Sequence, residues 1–93
     1  MIRSIADKET QRLANGVRSR KLPPEIQEKA MRLLRLMTEC TDWNELRNPP
    51  GNKLHALRGD REGQYALWIN RQWRIAFTPV DGECSDVEIT DYH

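Results

Sequence analysis

The sequence lacks the features that mark several large classes of protein. It has only two cysteines, Cys40 and Cys84, which form no Cys-x-x-Cys pair. Their spacing favours two reduced structural thiols over a disulfide framework or a zinc site. No apolar run approaches the roughly 20 residues that span a bilayer, and the amino terminus carries no export signal. We therefore expect a cytoplasmic protein that makes no contact with a membrane.

Common motifs of enzyme active sites are absent as well. Gly59 and Gly63 flank three charged residues, without the spacing or the Lys-Ser/Thr pair of a phosphate-binding loop. The sequence has neither a Gly-x-Ser-x-Gly elbow nor a His-Glu-x-x-His zinc motif. A chain of 93 residues has room for one domain with one shallow site. We therefore expect a single domain over residues 1–93 that uses no cofactor and no metal.

The net charge of +1 conceals an uneven distribution. Residues 1–36 carry nine Lys and Arg against four Asp and Glu, a net charge of +5. Residues 37–93 carry six against ten, a net charge of −4. The basic first third suits contact with a polyanion, above all in the loop with Arg18, Arg20 and Lys21. On charge alone, however, a solvated helix face is the simpler explanation.

The spacing of apolar residues predicts two helices in the first half of the chain. Asp7 is a candidate cap for a helix over 8–15 that stops at Gly16. Pro23 and Pro24 open a second, stronger helix, because proline fits a first helical turn. Its apolar residues recur at helical spacing and form one stripe: Ile26, Ala30, Leu33, Leu34 and Met37. A short helical turn over 42–46 and a loop over 48–51 follow.

After Gly51 the hydrophobic period changes to two, which predicts strands. The predicted strands are 53–57, 65–69, 73–78 and 86–91. Turn-like residues at 70–72 and 81–83 indicate antiparallel hairpins, and residues 2–5 suit an edge strand or a lead-in. Helices followed by a meander predict an α+β fold, with two amino-terminal helices packed on a small, mainly antiparallel β-sheet.

His55 is the first candidate proton carrier. If Leu54 and Ala56 face the core, His55 points to the accessible face of the sheet together with Lys53. An imidazole on such a face can accept or donate a proton near neutral pH. For this residue taken alone, an ordinary solvated strand histidine is the better explanation.

The last three residues, Asp91, Tyr92 and His93, form the second candidate group. The Asp91 carboxylate could orient the His93 ring and favour its protonated form. The Tyr92 ring could donate a hydrogen bond or stack on a base. The simpler explanation is a frayed terminus without a function.

Arg74 is the third candidate, since it alternates with Trp73 and Ile75 in a central strand. An arginine there needs a partner, and its planar fork matches a phosphate group. A salt bridge to Asp91 or Glu88 on a neighbouring strand is an equally good explanation. The two are compatible, because a salt bridge can hold an arginine in position for a ligand.

These candidates would share one face if strands 53–57, 73–79 and 86–91 lay side by side. Such a face could cleave a phosphodiester without a metal, by deprotonating a ribose 2′-hydroxyl, stabilising the phosphorane and protonating the leaving 5′-oxygen. The residues concerned are His55, Arg58, Arg74, Asp91, Tyr92 and His93.

Three segments of the sequence resemble the HigB-type toxins of the RelE/ParE superfamily. They are Lys-Leu-His-Ala-Leu-Arg-Gly-Asp-Arg-Glu-Gly at 53–63, Trp-Arg-Ile-Ala-Phe at 73–77 and the terminal Asp-Tyr-His at 91–93. The start, residues 1–4, is similar too, so the resemblance covers essentially the whole chain. It implies a RelE-like fold and a toxin of a type II toxin–antitoxin system. Such a toxin cleaves mRNA in the ribosomal A site, without a cofactor, and so inhibits translation.

The resemblance also implies roles and partners. His55 and His93 would transfer protons, Arg74 would hold the scissile phosphate, Asp91 would orient its surroundings and Tyr92 would position the substrate. The partners would be the 70S ribosome with its mRNA and a HigA-like antitoxin with a helix-turn-helix domain, and operator DNA would be bound only through the antitoxin complex. The residues expected to contact the substrate or the ribosome are Lys53, Arg61, Arg71, Gln72, Arg18, Arg20 and Lys21.

Two positions depart from the family pattern. Many relatives have lysine at the position of Arg58, and asparagine is frequent at that of Gln72. Arginine keeps the charge but is a poorer proton donor, so Arg58 suits a phosphate contact better than a general acid. The resemblance still implies cleavage, but not its rate or its codon preference.

Three other functions are compatible with such a chain. ParE-type relatives share the fold and act by binding DNA gyrase, without the nuclease residues. A ribosome-binding inhibitor could block translation without cleavage, and a plain structural domain would need no site. The histidine and the terminal tail argue against the ParE-type function, and a plain structural domain leaves the convergence of the three motifs unexplained.

Overall fold

The computed structural model describes residues 1–91, in which two helices cover one face of a four-stranded antiparallel sheet. In chain order the elements are α1 (Lys8–Ala14), α2 (Pro24–Glu39), β1 (His55–Ala56), β2 (Tyr65–Trp68), β3 (Trp73–Val80) and β4 (Glu83–Asp91). Short 3-10 turns occur at Trp43–Arg47, Pro50–Asn52 and Gly59–Arg61. The predicted α+β class is confirmed. Within residues 1–91, no helix is both long enough and apolar enough to cross a membrane.

Both helices begin where the sequence predicts. The Asp7 carboxylate accepts hydrogen bonds from the backbone N–H groups of Glu9 and Thr10, at 3.1 and 3.2 Å, and so caps α1. Helix α1 ends at Ala14, and Gly16 follows in the left-handed region with φ of +79°. In α2 the whole predicted apolar stripe is buried. That stripe joins the core between the helices and the sheet.

The strands run in sequence order, β1-β2-β3-β4, and each is antiparallel to the next. The side-by-side arrangement assumed for residues 53–57 and 73–79 therefore does not occur, because β2 lies between them. Consecutive strands joined by short connections pair with each other, which leaves β1 at the edge of the sheet. Strand β1 is also shorter than predicted, since Lys53 has a left-handed backbone with φ of +50° and cannot extend it.

The opposite edge of the sheet is covered by the amino-terminal segment. Ile2 and Ile5 form isolated parallel bridges with Cys84 and Val87 of β4. The Ile89 backbone N–H then donates a 2.9 Å hydrogen bond to Thr10 Oγ1 in the first turn of α1. The residues that were predicted to be an edge strand or a lead-in thus pair with the outer side of β4. This pairing leaves fewer exposed backbone groups for another chain to pair with.

The two faces of the sheet differ in what covers them. Leu67, Ile75 and Phe77 point towards the helices and are fully buried with the stripe of α2. On the other face, a small separate cluster contains Leu57, Ala66 and Ala76. We call that second side the open face, because no helix packs on it within residues 1–91. The strand residues on it, by alternation and register, are His55, Ala66, Trp68, Arg74, Ala76, Glu88 and Thr90.

The prediction that Cys40 and Cys84 are structural thiols agrees with their positions, since both are buried and reduced. Burial raises the pKa of the Cys84 thiol from its ordinary value of 9.0 to about 12. Few thiolates therefore form at neutral pH in the folded protein, and Cys84 should react slowly with alkylating reagents.

This pKa shift predicts how stability depends on alkaline pH. Between pH 9 and 12 the unfolded chain has lost the Cys84 proton, whereas the folded chain keeps it. The free energy of unfolding should thus be unaffected by Cys84 below pH 9 and fall above it, by about 1.4 kcal/mol per pH unit. Urea unfolding of the wild type and of Cys84→Ala at pH 8 and pH 10 would measure this. A gap between the two proteins that does not narrow at pH 10 would contradict the prediction.

Candidate functional site

The half of the open face towards the start of β2 and the end of β3 is covered by the connection between β1 and β2, residues 57–64. Leu57 packs on the two alanines of the small cluster. Gln64 Nε2 donates to Thr78 Oγ1 of β3 at 3.3 Å, and Arg61 reaches Glu88 of β4. The half of the face that this connection leaves uncovered lies towards the end of β2 and the start of β3. The candidate site is in that half.

His55 is half-buried on the open face, in register with Ala66 of β2. Its Nδ1 atom lies 2.7 Å from the Lys53 carbonyl oxygen, a separation that fits a hydrogen bond donated by Nδ1. In neutral imidazole that tautomer leaves Nε2 as the proton acceptor. Lys53 has a left-handed backbone, a conformation that residues other than glycine rarely adopt, and its carbonyl oxygen lies against the His55 ring. His55 is therefore oriented for use as a general base.

Arg74 lies deep in the open face, with a relative exposure of 9%. Its Nη1 atom donates to the backbone carbonyls of Asn70 and Arg71 in the β2–β3 loop, the latter at 3.0 Å. The Asn70 side chain orders the same loop, since its Oδ1 accepts from the backbone N–H groups of Gln72 and Trp73. The guanidinium is thus bound by the backbone of a loop that has hydrogen bonds of its own.

Trp68 joins Arg74 to a second cation. The Arg74 guanidinium carbon lies 4.7 Å from the centre of the Trp68 ring, and Lys53 Nζ lies 3.7 Å from it. Both separations are within the range of cation–π attraction. The ring therefore links Arg74, Lys53 and, through the Lys53 carbonyl, His55. We call these four residues the open-face cluster: Lys53, His55, Trp68 and Arg74.

Sequence reasoning did not select Trp68. Its signal was present, because it alternates with the core residues Leu67 and Ile69, so the strand pattern places a large aromatic ring on the accessible side. A tryptophan at an exposed strand position is a candidate for binding. What the pattern did not contain was the approach of Lys53, which is distant in sequence.

Arg61 forms an ion pair with Glu88 of β4. Its Nη2 atom lies 3.1 Å from Glu88 Oε1, and its Nη1 donates to Gln64 Oε1 at 2.9 Å. This arrangement also corrects one suggested partner for Arg74, since Glu88 pairs with Arg61. Arg61 therefore ties the covering connection to β4, and its role as a substrate contact remains a prediction.

Asp91 ends β4 opposite Trp73, whose side chain packs on the core. Paired residues of antiparallel strands share a face of the sheet. The Asp91 side chain therefore leaves the sheet on the helix side, whereas the Arg74 side chain leaves it on the open face. The Asp91 carboxylate accepts a 2.9 Å hydrogen bond from Gln72 Nε2. Tyr92 and His93 lie outside the described residues, and their roles stay predictions.

The other candidate residues are exposed and surround the face or lie near it. Arg58 follows β1 and precedes the Gly59–Arg61 turn, and Arg71 lies in the β2–β3 loop. The basic loop follows α1, where Ser19 Oγ donates to Glu9 beside Thr10. Since Thr10 contacts Ile89, this loop lies near the carboxyl end of β4. Its exposed cations are Arg18, Arg20 and Lys21.

Comparison with known proteins identifies the family. Residues 3–93 match the family of RelE-like toxins of the type II toxin–antitoxin system HigB. The chain belongs to the HigB-like toxins. The predicted resemblance is thereby confirmed.

Curated relatives agree with this membership. The chain is 37% identical to Endoribonuclease HigB of Proteus vulgaris over 60 residues, which are 64% of each chain. It is 34% identical to Toxin HigB-1 of Vibrio cholerae serotype O1 over 65 residues, which are 70% of this chain and 68% of that protein. The aligned part thus spans slightly under two thirds of the Proteus toxin.

Solved structures support the fold of this HigB-like toxin. A His-to-Gln variant of Escherichia coli YafQ superposes with a TM-score of 0.62 and 17% identity, over 98% of this chain and 93% of that one. A second YafQ crystal structure gives a TM-score of 0.55 at 15% identity, with the same coverage. At this level of identity the likeness establishes the architecture alone.

Proposed function

We propose that this HigB-like toxin is an endoribonuclease that cleaves mRNA in the A site of the ribosome. The observation that carries the proposal is the open-face cluster, which combines an oriented imidazole with two cations on an accessible sheet surface. The Proteus relative is named an endoribonuclease, which agrees with such a site. The product of cleavage on the ribosome is a truncated message, so translation stops.

The reaction needs a base, a phosphate clamp and an acid. His55 Nε2 takes the proton from the ribose 2′-hydroxyl, whose oxygen then attacks the adjacent phosphorus. Arg74 and Lys53 stabilise the negative charge that develops on the phosphorane oxygens. His93 gives a proton to the departing 5′-oxygen, and the message ends in a 2′,3′-cyclic phosphate. Asp91 and Tyr92 act on the orientation of His93 and of the substrate, and Arg58 is a further phosphate contact.

The remaining cations and the polar Gln72 suit contact with the ribosome. Arg71 and Gln72 lie in the loop beside Arg74, and the basic loop with Arg18, Arg20 and Lys21 lies near the end of β4. Single phosphate contacts of this kind add affinity without sequence preference. With a net charge of only +1, the toxin is expected to cut free RNA poorly, because the ribosome must supply most of the binding.

Family membership also implies the regulatory partner. A toxin of a type II system has a cognate antitoxin, and we propose one of the HigA-like class with a helix-turn-helix domain. Operator DNA would be bound through that antitoxin rather than by the toxin. Action on translating ribosomes would place the toxin in the cytoplasm.

The test is induction of the toxin in bacteria with mapping of the 5′ ends of mRNA. We expect new ends in register with the reading frame in the wild type, and their loss in His93→Ala, because the 5′-oxygen then lacks its proton donor. Arg47→Ala, on the helix side of the sheet, should cut like the wild type. Toxicity without new 5′ ends would overturn the nuclease in favour of a ribosome-binding inhibitor. Gyrase inhibition with intact translation would point to a ParE-like function instead.

A further inference from the structure

We propose that Trp68 is a positioning residue, which holds the Lys53 ammonium and the Arg74 guanidinium together so that both meet the same RNA phosphate. The proposal rests on the proposed nuclease function for its substrate, but its geometric part can be tested without activity. Neither the sequence motifs nor the comparisons assign a role to Trp68.

The position of Trp68 in the sheet gives the first support. It is the last residue of β2 and pairs with Arg74 of β3, so their side chains leave the sheet next to each other on the open face. The indole is half-buried, and the guanidinium carbon lies 4.7 Å from its centre. The arginine cannot swing away, since its Nη1 is bound to the carbonyls of Asn70 and Arg71. The Arg74 guanidinium is therefore held in place beside the indole by hydrogen bonds.

Lys53 reaches the same ring from outside the sheet. Its Nζ lies 3.7 Å from the ring centre, although its backbone belongs to the turn that precedes β1. The side chain is exposed, and a free lysine on a surface samples many rotamers. Contact with the indole restricts those rotamers and keeps the ammonium at the same ring that Arg74 contacts. The same residue presents its carbonyl to His55, so its position affects the base as well.

Charge explains why an aromatic residue suits this position. The π electrons of an indole attract a cation, and both Lys53 Nζ and the Arg74 guanidinium carbon lie near this ring. A carboxylate would neutralise the cations and lower the positive potential that a phosphate needs. An indole attracts them without neutralising their charge.

Two replacements of Trp68 distinguish the effect of its aromatic ring from the effect of its size. Trp68→Phe keeps a π face and should retain kcat within about threefold, whereas Trp68→Leu should lower kcat about tenfold or more. The loss should fall on kcat more than on KM, because the cations act on charge that develops in the transition state. Single-turnover cleavage of mRNA on programmed ribosomes would measure both parameters. Equal kcat values in the two variants would overturn the proposal.

Two controls distinguish positioning from loss of stability. Trp43→Leu makes the same change in a tryptophan that packs on Tyr65 and Phe77, on the helix side, with Arg47 over its ring at 5.9 Å. It should lower the free energy of unfolding and leave kcat unchanged. In a double-mutant cycle, Lys53→Met should reduce kcat in the wild type but have little further effect in Trp68→Leu. Additive losses would contradict the linkage.

A spectroscopic measurement tests the geometry alone. Lys53 Nζ lies 3.7 Å from the centre of the indole ring, so the NMR signal of the adjoining ε-methylene protons should be shifted upfield by the ring current. Trp68→Leu should return that signal to the position of an exposed lysine. A normal signal in the wild type would overturn the role of Trp68 even if cleavage is observed. Conversely, absence of cleavage with a shifted signal would contradict the nuclease and leave the cluster intact.

Discussion

Arg74→Ala is expected to lower the rate of mRNA cleavage by about 100- to 1000-fold. The reason is that the guanidinium is the deepest cation of the open face and would stabilise the charge on the phosphorane. Arg74→Lys should recover only part of the rate, because an ammonium keeps the charge but lacks the fork that contacts two phosphate oxygens. Single-turnover cleavage on programmed ribosomes measures the effect.

Stability must be measured beside activity for these variants. The Arg74 side chain also binds the carbonyls of the β2–β3 loop, so alanine should weaken that hairpin. Arg47→Ala is the matched control, since Arg47 also lies over a tryptophan ring but on the helix side. If Arg74→Lys cleaves at the wild-type rate, or Arg47→Ala is equally impaired, Arg74 has no special part in the reaction.

His55→Ala is expected to reduce kcat by about 100- to 10,000-fold, the usual contribution of a general base. Single-turnover rates of cleavage on programmed ribosomes, recorded for both proteins, provide the comparison.

Substitution at the neighbouring position gives the control for His55. Ala56 is exposed in the same short strand and points to the other side of the sheet, so Ala56→Gln should cleave normally. His55→Gln keeps a polar side chain without an imidazole and should be as slow as the alanine variant. A glutamine variant that cleaves at the wild-type rate would show that His55 is not the base.

The fold could be predicted because its signals are local. Asp7 caps α1 through hydrogen bonds to residues only two and three positions ahead, and Pro24 opens α2 by its own geometry. The turn between β3 and β4 needs two left-handed residues, and Asp81 and Gly82 supply them, with φ of +52° and +83°. Such signals depend on neighbours in sequence, so they can be read without knowledge of the fold.

The site was predicted only in part. Period-two alternation put His55 and Arg74 on one face, and both lie on the open face in the structure. Strand order had to be assumed, and the assumed order, with the strand of His55 directly beside that of Arg74, does not occur. Alternation gives the side of a sheet on which a residue lies, but not the neighbours of its strand.

Contacts between distant segments were not predictable from pattern. Arg61 belongs to the motif that resembles HigB toxins, yet the structure pairs it with Glu88 of β4. The Glu88 carboxylate could have paired with Arg61 or with Arg74. The path of residues 57–64 across the open face brings Arg61 to it. No spacing in the sequence encodes that path.

The sequence by itself determined the class of fold, the family and the residue types available for chemistry, because caps, turns, periodicity and motifs are all local. Only the tertiary structure decided which of those residues work together. It brought Lys53 to Trp68 and Arg74, turned the Lys53 carbonyl to His55, and engaged Arg61 elsewhere. Ion pairs, ring contacts and hydrogen bonds depend on distances of a few ångströms between atoms, and those distances exist only once the chain has folded.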